Sequence, residues 1–134
     1  MSNHIDTQRE QTIRAIEAFL DGLVKSKSDI MPFDRDIVLI SPLDPEHPKK
    51  GKEQAIEFLK TRVFPRIPVR GANIERHVVE GEYAATLWEA TFKDARGSDV
   101  VVRIFDFFRV TDGLIREARF FFDPKPLKEI LESM

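Results

Sequence analysis

Helices packed on a mostly antiparallel sheet are implied by three features of the chain. Six of its eight prolines fall between Ile30 and Pro68, and none lies between Val69 and Asp123. A central strand cannot spare a backbone N–H, so the proline-free stretch reads as sheet. Gly81, Gly97 and Gly113 sit at the breaks between its strand-like runs, where hairpin turns need them. Before the prolines, apolar residues recur at helical spacing, the mark of an amphipathic helix. The class is therefore α+β.

The composition bounds the rest. With 134 residues, 42% hydrophobic and 33% charged, residues 1–134 are expected to form one domain with its own core. Lysines and arginines number 21 and aspartates and glutamates 23, well mixed. No basic patch suggests a nucleic-acid partner. Cysteine is absent, which excludes a disulfide framework and thiol chemistry. The polar start MSNHIDTQREQ has no apolar core of a signal peptide. No apolar run reaches the ~20 residues that span a bilayer. A cytoplasmic protein without membrane contact is expected.

In order along the chain, Thr7 and Glu10 have the spacing of a capping box at a helix start. Ile13, Ile16, Phe19, Leu20, Leu23 and Val24 then form one stripe. Gly22 costs this helix about 1 kcal/mol relative to alanine, so either the end is near or something packs closely there. Ser26–Asp29 breaks the pattern. Asp36–Ser41 reads as a short strand ended by Pro42, and Pro42–Lys50 as a loop too rich in proline for regular structure. A second amphipathic helix is expected over Lys52–Phe64, stopped by Pro65. Four strands follow, near Asn73–Val79, Tyr83–Lys93, Asp99–Val110 and Leu114–Asp123, as a meander. A short helix over Leu127–Ser133 closes the chain.

The last hairpin carries the oddity. Asp106 stands between Phe105 and Phe107 in a run of Val, Ile and Phe. A two-residue turn at Asp112-Gly113 puts Asp106 opposite Arg119. A three-residue turn with Gly113 as a bulge puts it opposite Ala118, diagonal to Arg116 and Phe120. Both strands are apolar on both faces, and two apolar faces call for two covers. Helices cover one. A second copy of the chain, packed sheet to sheet as a homodimer, is expected on the other.

The segment Phe107-Phe108-Arg109-Val110-Thr111-Asp112-Gly113-Leu114-Ile115, with Phe121-Phe122-Asp123, Ile37–Pro42 and the helix after Gly51, resembles the nuclear transport factor 2-like superfamily. Within it the likeness is to the SnoaL-like family, with its ketosteroid isomerase and polyketide cyclase relatives. The resemblance spans nearly the whole chain. It implies a cone-shaped, cystatin-like fold whose N-terminal helices cap the concave sheet over an apolar pocket. It also implies an acid at Asp106, where burial among Phe and Ile raises the pKa and keeps the carboxyl neutral. The isomerases' general base falls on Ser41, and their tyrosine on the first helix has no counterpart, since Tyr83 is the only tyrosine. The Arg-x-Asp pair of the related epoxide hydrolases falls approximately on Glu89 and Thr91. Neither mechanism is therefore implied. The single acid/base of the SnoaL-like cyclases remains compatible.

Asp106 is thus the catalytic candidate, as acid or base. Ser41, Phe108, Phe120 and Phe122 are expected to line the pocket. Counting back from Gly113 adds Tyr83, Leu87 and Glu89, with Trp88 on the opposite face. Arg116 is expected as an inward cation near Asp106, most simply an ion pair. Asp123 is expected to cap the last helix. His77 stands alone on its strand, and His4 and His47 lie in loops without ligand partners at metal spacing, so no metal and no cofactor is expected. The ligand is expected to be a small apolar molecule, possessing a carbonyl if proton transfer of the isomerase or cyclase type occurs. The alternatives are a non-catalytic ligand-binding pocket and a dimeric interaction module.

Overall fold

The structure, a computed structural model, describes residues 4–134, with side chains from residue 7 onward. The first three residues of the polar start lie outside the described residues, as does the side chain of His4. Its backbone is helical rather than looped, because the first helix, α1, runs His4–Lys25. Thr7 therefore lies inside α1 and not at its N-cap.

The buried face of α1 is Thr12, Ala15, Ile16, Phe19, Leu20 and Leu23, a stripe rotated slightly from the expected one. Val24 is left exposed, and Ile13 is half-buried. The helix ends in a Schellman motif. Lys27 N–H donates to Gly22 O at 2.9 Å, Ser26 N–H to Leu23 O at 3.4 Å, and Ser26 takes the left-handed φ of 55° that such an end requires. The chain then doubles back, and Met31 packs onto Gly22. A Cβ there would lie 2.7 Å from Met31 Cγ and 2.8 Å from Lys27 O. The glycine is thus explained by close approach.

Strand β1 covers Phe33–Ile40 and starts three residues earlier than expected. The proline-rich loop after it ends in two paired residues, β2 at Lys49–Lys50, so its last part is regular after all. Helix α2 spans Lys52–Phe58 and continues as a wider π turn over Leu59–Val63, closed by Phe64 N–H donating to Leu59 O at 2.8 Å. The meander follows as β3 (Gly71–Glu80), β4 (Tyr83–Lys93), β5 (Asp99–Thr111) and β6 (Leu114–Phe121). Helix α3 takes up Lys125–Glu132. Asp123 accepts the Lys125 N–H at 3.0 Å, which ties down the start of α3 from one residue before its N-cap, Pro124.

The six strands form one sheet in the order β2-β1-β6-β5-β4-β3. All neighbours are antiparallel except β1 and β6, which run parallel. Helix α1 lies on the concave face, where Phe19 packs against Phe33, Phe108 and Phe120 at ring separations of 5.8, 5.8 and 5.7 Å. No helix is long and apolar enough to cross a membrane among the described residues.

The hairpin register follows neither expected pattern. Thr111 pairs with Leu114, so the turn has two residues, Asp112 and Gly113, both at positive φ as a tight hairpin turn requires. Arg109, however, pairs with Glu117 while Val110 pairs with Ile115. Arg116 is therefore an extra residue, a bulge in β6. Beyond it Asp106 faces Phe120, and Arg119 faces Phe107. Because strand side chains alternate faces, one extra residue exchanges the two sets.

Gly22→Ala is expected to destabilise the protein by about 1–3 kcal/mol, the usual cost of overpacking, although alanine is the better helix former. Urea unfolding of the variant measures this, and a gain in stability would show that Met31 yields.

Candidate functional site

The inner face of the sheet is made by the even-numbered residues of β4 and β5. In β4 these are Ala84, Thr86, Trp88, Ala90 and Phe92, all buried. Their odd-numbered neighbours include Glu89 and Lys93, and charge belongs outside. In β5, Val102, Ile104, Asp106, Phe108 and Val110 are buried. Asp106 is thus placed inward by plain alternation.

Between this face and the helices lies a cavity. Trp88, Ile104, Asp106 and Phe120 form its sheet wall. Leu43, Phe58, Leu59, Val63 and Leu127 come from the loop after β1, from α2 with its π turn, and from α3. The empty space between the walls, including the part open to solvent, is about 530 Å³, and the part that admits the centre of a water-sized sphere is about 70 Å³. At ~10–15 Å³ for one water, the inner part holds a ligand of roughly five to seven water-sized groups.

Asp106 is completely buried. Its Oδ2 accepts a hydrogen bond from Trp88 Nε1 at 2.8 Å, while its Oδ1 has no partner. Burial pushes the carboxyl well above the usual carboxylate range, and the indole N–H offsets part of that by stabilising the ionised form. No Lys or Arg lines the cavity, so desolvation is left to favour the protonated form. Asp106 is the sole titratable group among the lining residues.

The loop that supplies Leu43 is braced. Asp44 accepts from His47 Nδ1 at 2.7 Å and from Lys49 Nζ at 2.6 Å. The Lys49 ammonium also lies 5.1 Å over the ring of Phe58. Hydrogen bonds from Lys49 and then His47 hold the Asp44 carboxyl down at about 2. Ser41 lines the cavity, and its hydroxyl accepts the Leu43 N–H at 3.2 Å.

Of the expected site residues, Asp106, Ser41, Phe120 and Phe122 meet at this cavity. Phe108 lies on the same face but is sealed in the core beneath Phe19. Four lie elsewhere. Arg116 is exposed because it is the bulge, and it donates to Thr111 Oγ1 and lies 3.9 Å from Asp34. Tyr83, Leu87 and Glu89 are on the outer face: Tyr83 stacks on Phe107 at 5.8 Å, Leu87 pairs with Phe105, and Glu89 lies 4.0 Å from Arg103. Counting back from the last turn mistook the pairing of β4 with β5, where Thr86 faces Asp106, and so reversed the face of β4. Trp88, expected outside, is the residue this error concealed. The absence of charge from Ala84, Thr86, Trp88, Ala90 and Phe92 was the signal that could have found it.

His77 is bonded through Nδ1 to Thr86 Oγ1 at 2.8 Å, and its Nε2 lies 3.8 Å from Glu17 on α1. Among the described residues no group of three His, Asp or Glu side chains converges as metal ligands would.

Residues 16–118 match the SnoaL-like domain family. No curated protein matches the chain significantly. Among solved structures, a provisionally assigned SnoaL-like polyketide cyclase from Jannaschia sp. CCS1 superposes with a TM-score of 0.77 at 21% identity, covering 93% of this chain and 94% of that one. An LEH-like epoxide hydrolase of M. tuberculosis gives 0.73 at 24% identity, with 92% of each chain covered. TerC, co-crystallized with polyporic acid, gives 0.75 at 18% identity, covering 92% and 99%. At these identities the likeness is one of fold: the chain has the nuclear transport factor 2-like architecture.

The neutral carboxyl has a consequence for stability. An acid with a raised folded pKa keeps its proton where the unfolded chain has released it. Stability therefore falls as pH rises from the ordinary carboxylate range to the raised value. Asp106→Asn keeps an acceptor for Trp88 and removes the titration. The variant is expected to melt at higher temperature than the native protein at pH 7, the difference vanishing below about pH 4. Thermal melts across pH measure it, and parallel curves for the two proteins would contradict a neutral buried acid.

Proposed function

The chain belongs to the SnoaL-like domain family, and from that premise we propose that it binds a small apolar molecule in the cavity, with the neutral Asp106 carboxyl as the group that meets the molecule's polar atom. The observation that carries this reading is the unpaired Oδ1 of a fully buried acid in a wall that is apolar apart from Ser41 and the indole N–H of Trp88. An unmet buried hydrogen-bonding group costs about 1–3 kcal/mol, and a ligand acceptor placed there relieves it. Oδ1 is also the one position on the wall from which a proton can be transferred. Proton transfer of the isomerase or cyclase type would then have to give and take at this single carboxyl, because no second titratable side chain lines the cavity. That solitude is what favours plain ligand binding as the second reading.

Carbon-detected NMR of the labelled carboxyl tests both. Asp106 is expected to titrate well above ~3.9 and to shift further when a ligand seen by native mass spectrometry is added. An ordinary titration would remove the basis for either reading.

For the outer face, a second copy of the chain is the proposed cover. Val101, Phe105 and Phe121 are 56%, 43% and 52% exposed, and the last two rings meet at 6.3 Å. Ion pairs of both signs flank them, Arg103 with Glu75 at 3.0 Å and Arg109 with Glu82 at 2.9 Å. A band carrying both charges beside an apolar centre can complement itself across a two-fold axis. Sedimentation at micromolar concentration is expected to give a dimer, and Phe105→Glu a monomer of unchanged fold. A clean monomer of the native chain would end the proposal.

A further inference from the structure

Trp88 and Asp106 are diagonal neighbours across β4 and β5: Asp106 pairs with Thr86, and Trp88 with Ile104. Both side chains point inward and both are buried, to 3% and 0% exposure. The indole nitrogen can only donate, and it donates to Oδ2. A carboxylic acid has one carbonyl oxygen and one hydroxyl oxygen, and the carbonyl oxygen is the better acceptor. The indole therefore selects Oδ2 as the carbonyl and leaves the hydroxyl at Oδ1, the oxygen without a partner.

We propose that Trp88 is the positioning residue of this site, fixing the Asp106 proton on Oδ1 and aiming it at the cavity. The proposal rests on the cavity being a ligand site and Asp106 its proton-bearing group. Without the N–H the two oxygens become equivalent, the carboxyl can turn over, and the proton is shared between two directions. The ionised carboxyl would also lose its one hydrogen bond.

The chain contains one tryptophan, so its indole emission comes from the residue that makes this hydrogen bond. The native protein is expected to show a fluorescence step with the same midpoint as the Asp106 carboxyl resonance, and Asp106→Asn is expected to abolish it. Replacing Trp88 by 3-benzothienylalanine keeps the shape and removes only the donor. The carboxyl midpoint is expected to move to higher pH, with circular dichroism unchanged. Trp88→Phe serves the same purpose if that protein does not fold. A fluorescence step that persists in Asp106→Asn, or a carboxyl midpoint indifferent to loss of the donor, overturns the role of Trp88 and leaves the ligand-site reading standing. A native Asp106 that titrates in the ordinary carboxylate range brings down both.

Discussion

The inner surface of this protein depends on the register between β5 and β6. Arg116 adds one residue to β6 against its partner, and alternation converts that into an exchange of faces. Ile115, before the bulge, and Ala118, after it, are both buried, three positions apart, where an unbroken strand would have set them on opposite sides. Phe120 thereby comes under Phe19, where the two rings stack, and Phe122 joins the cavity. Arg119 and Phe121 are sent outward. A bulge removes a residue from the ladder, and an arginine exposed to solvent loses little by being that residue.

What could be read beforehand divides along the same line. The proline-free sheet, the tight turn at Asp112-Gly113 and the helix around Ile16 and Phe19 come from local rules of spacing and backbone chemistry, and they were legible. The bulge was not, since nothing about Arg116 differs from any exposed strand arginine until its partner strand is in place. The error then spread by parity. It put Arg116 beside Asp106. A separate parity error, in the pairing of β4 with β5, put Tyr83, Leu87 and Glu89 inside and Trp88 outside, although Thr86 pairs with Asp106. Asp106 itself was placed inward on a likeness. The plain alternation of β5 leads to the same facing for a sounder reason. Two further features, the close approach of Met31 to Gly22 and the π turn at Leu59–Val63, are tertiary and leave only a single glycine as a trace.

Electrostatically, the removal of Arg116 from the interior decides the character of the acid. A guanidinium beside Asp106 would have kept it charged. With none on the cavity wall, desolvation dominates and a single indole hydrogen bond opposes it. The molecule thus holds a destabilised group where no packing need requires one, the pattern of a site retained for binding or chemistry at some expense of stability. Asp44 shows the opposite case. Hydrogen bonds from Lys49 and His47 draw its pKa down, and its role is to hold a loop.

The cavity wall has two kinds of origin. Trp88, Ile104, Asp106 and Phe120 stand on neighbouring strands of the sheet, whereas Leu43, Phe58, Val63 and Leu127 come from a loop, a helix with a widened turn, and a short closing helix. Strands in a ladder hold geometry, and loops and short helices tolerate exchange. On the proposed reading, the part that would handle the proton and the part that would judge the size and shape of a guest are carried by separate pieces of chain. A lineage could change what it admits, residue by residue, without ever disturbing the acid that meets it.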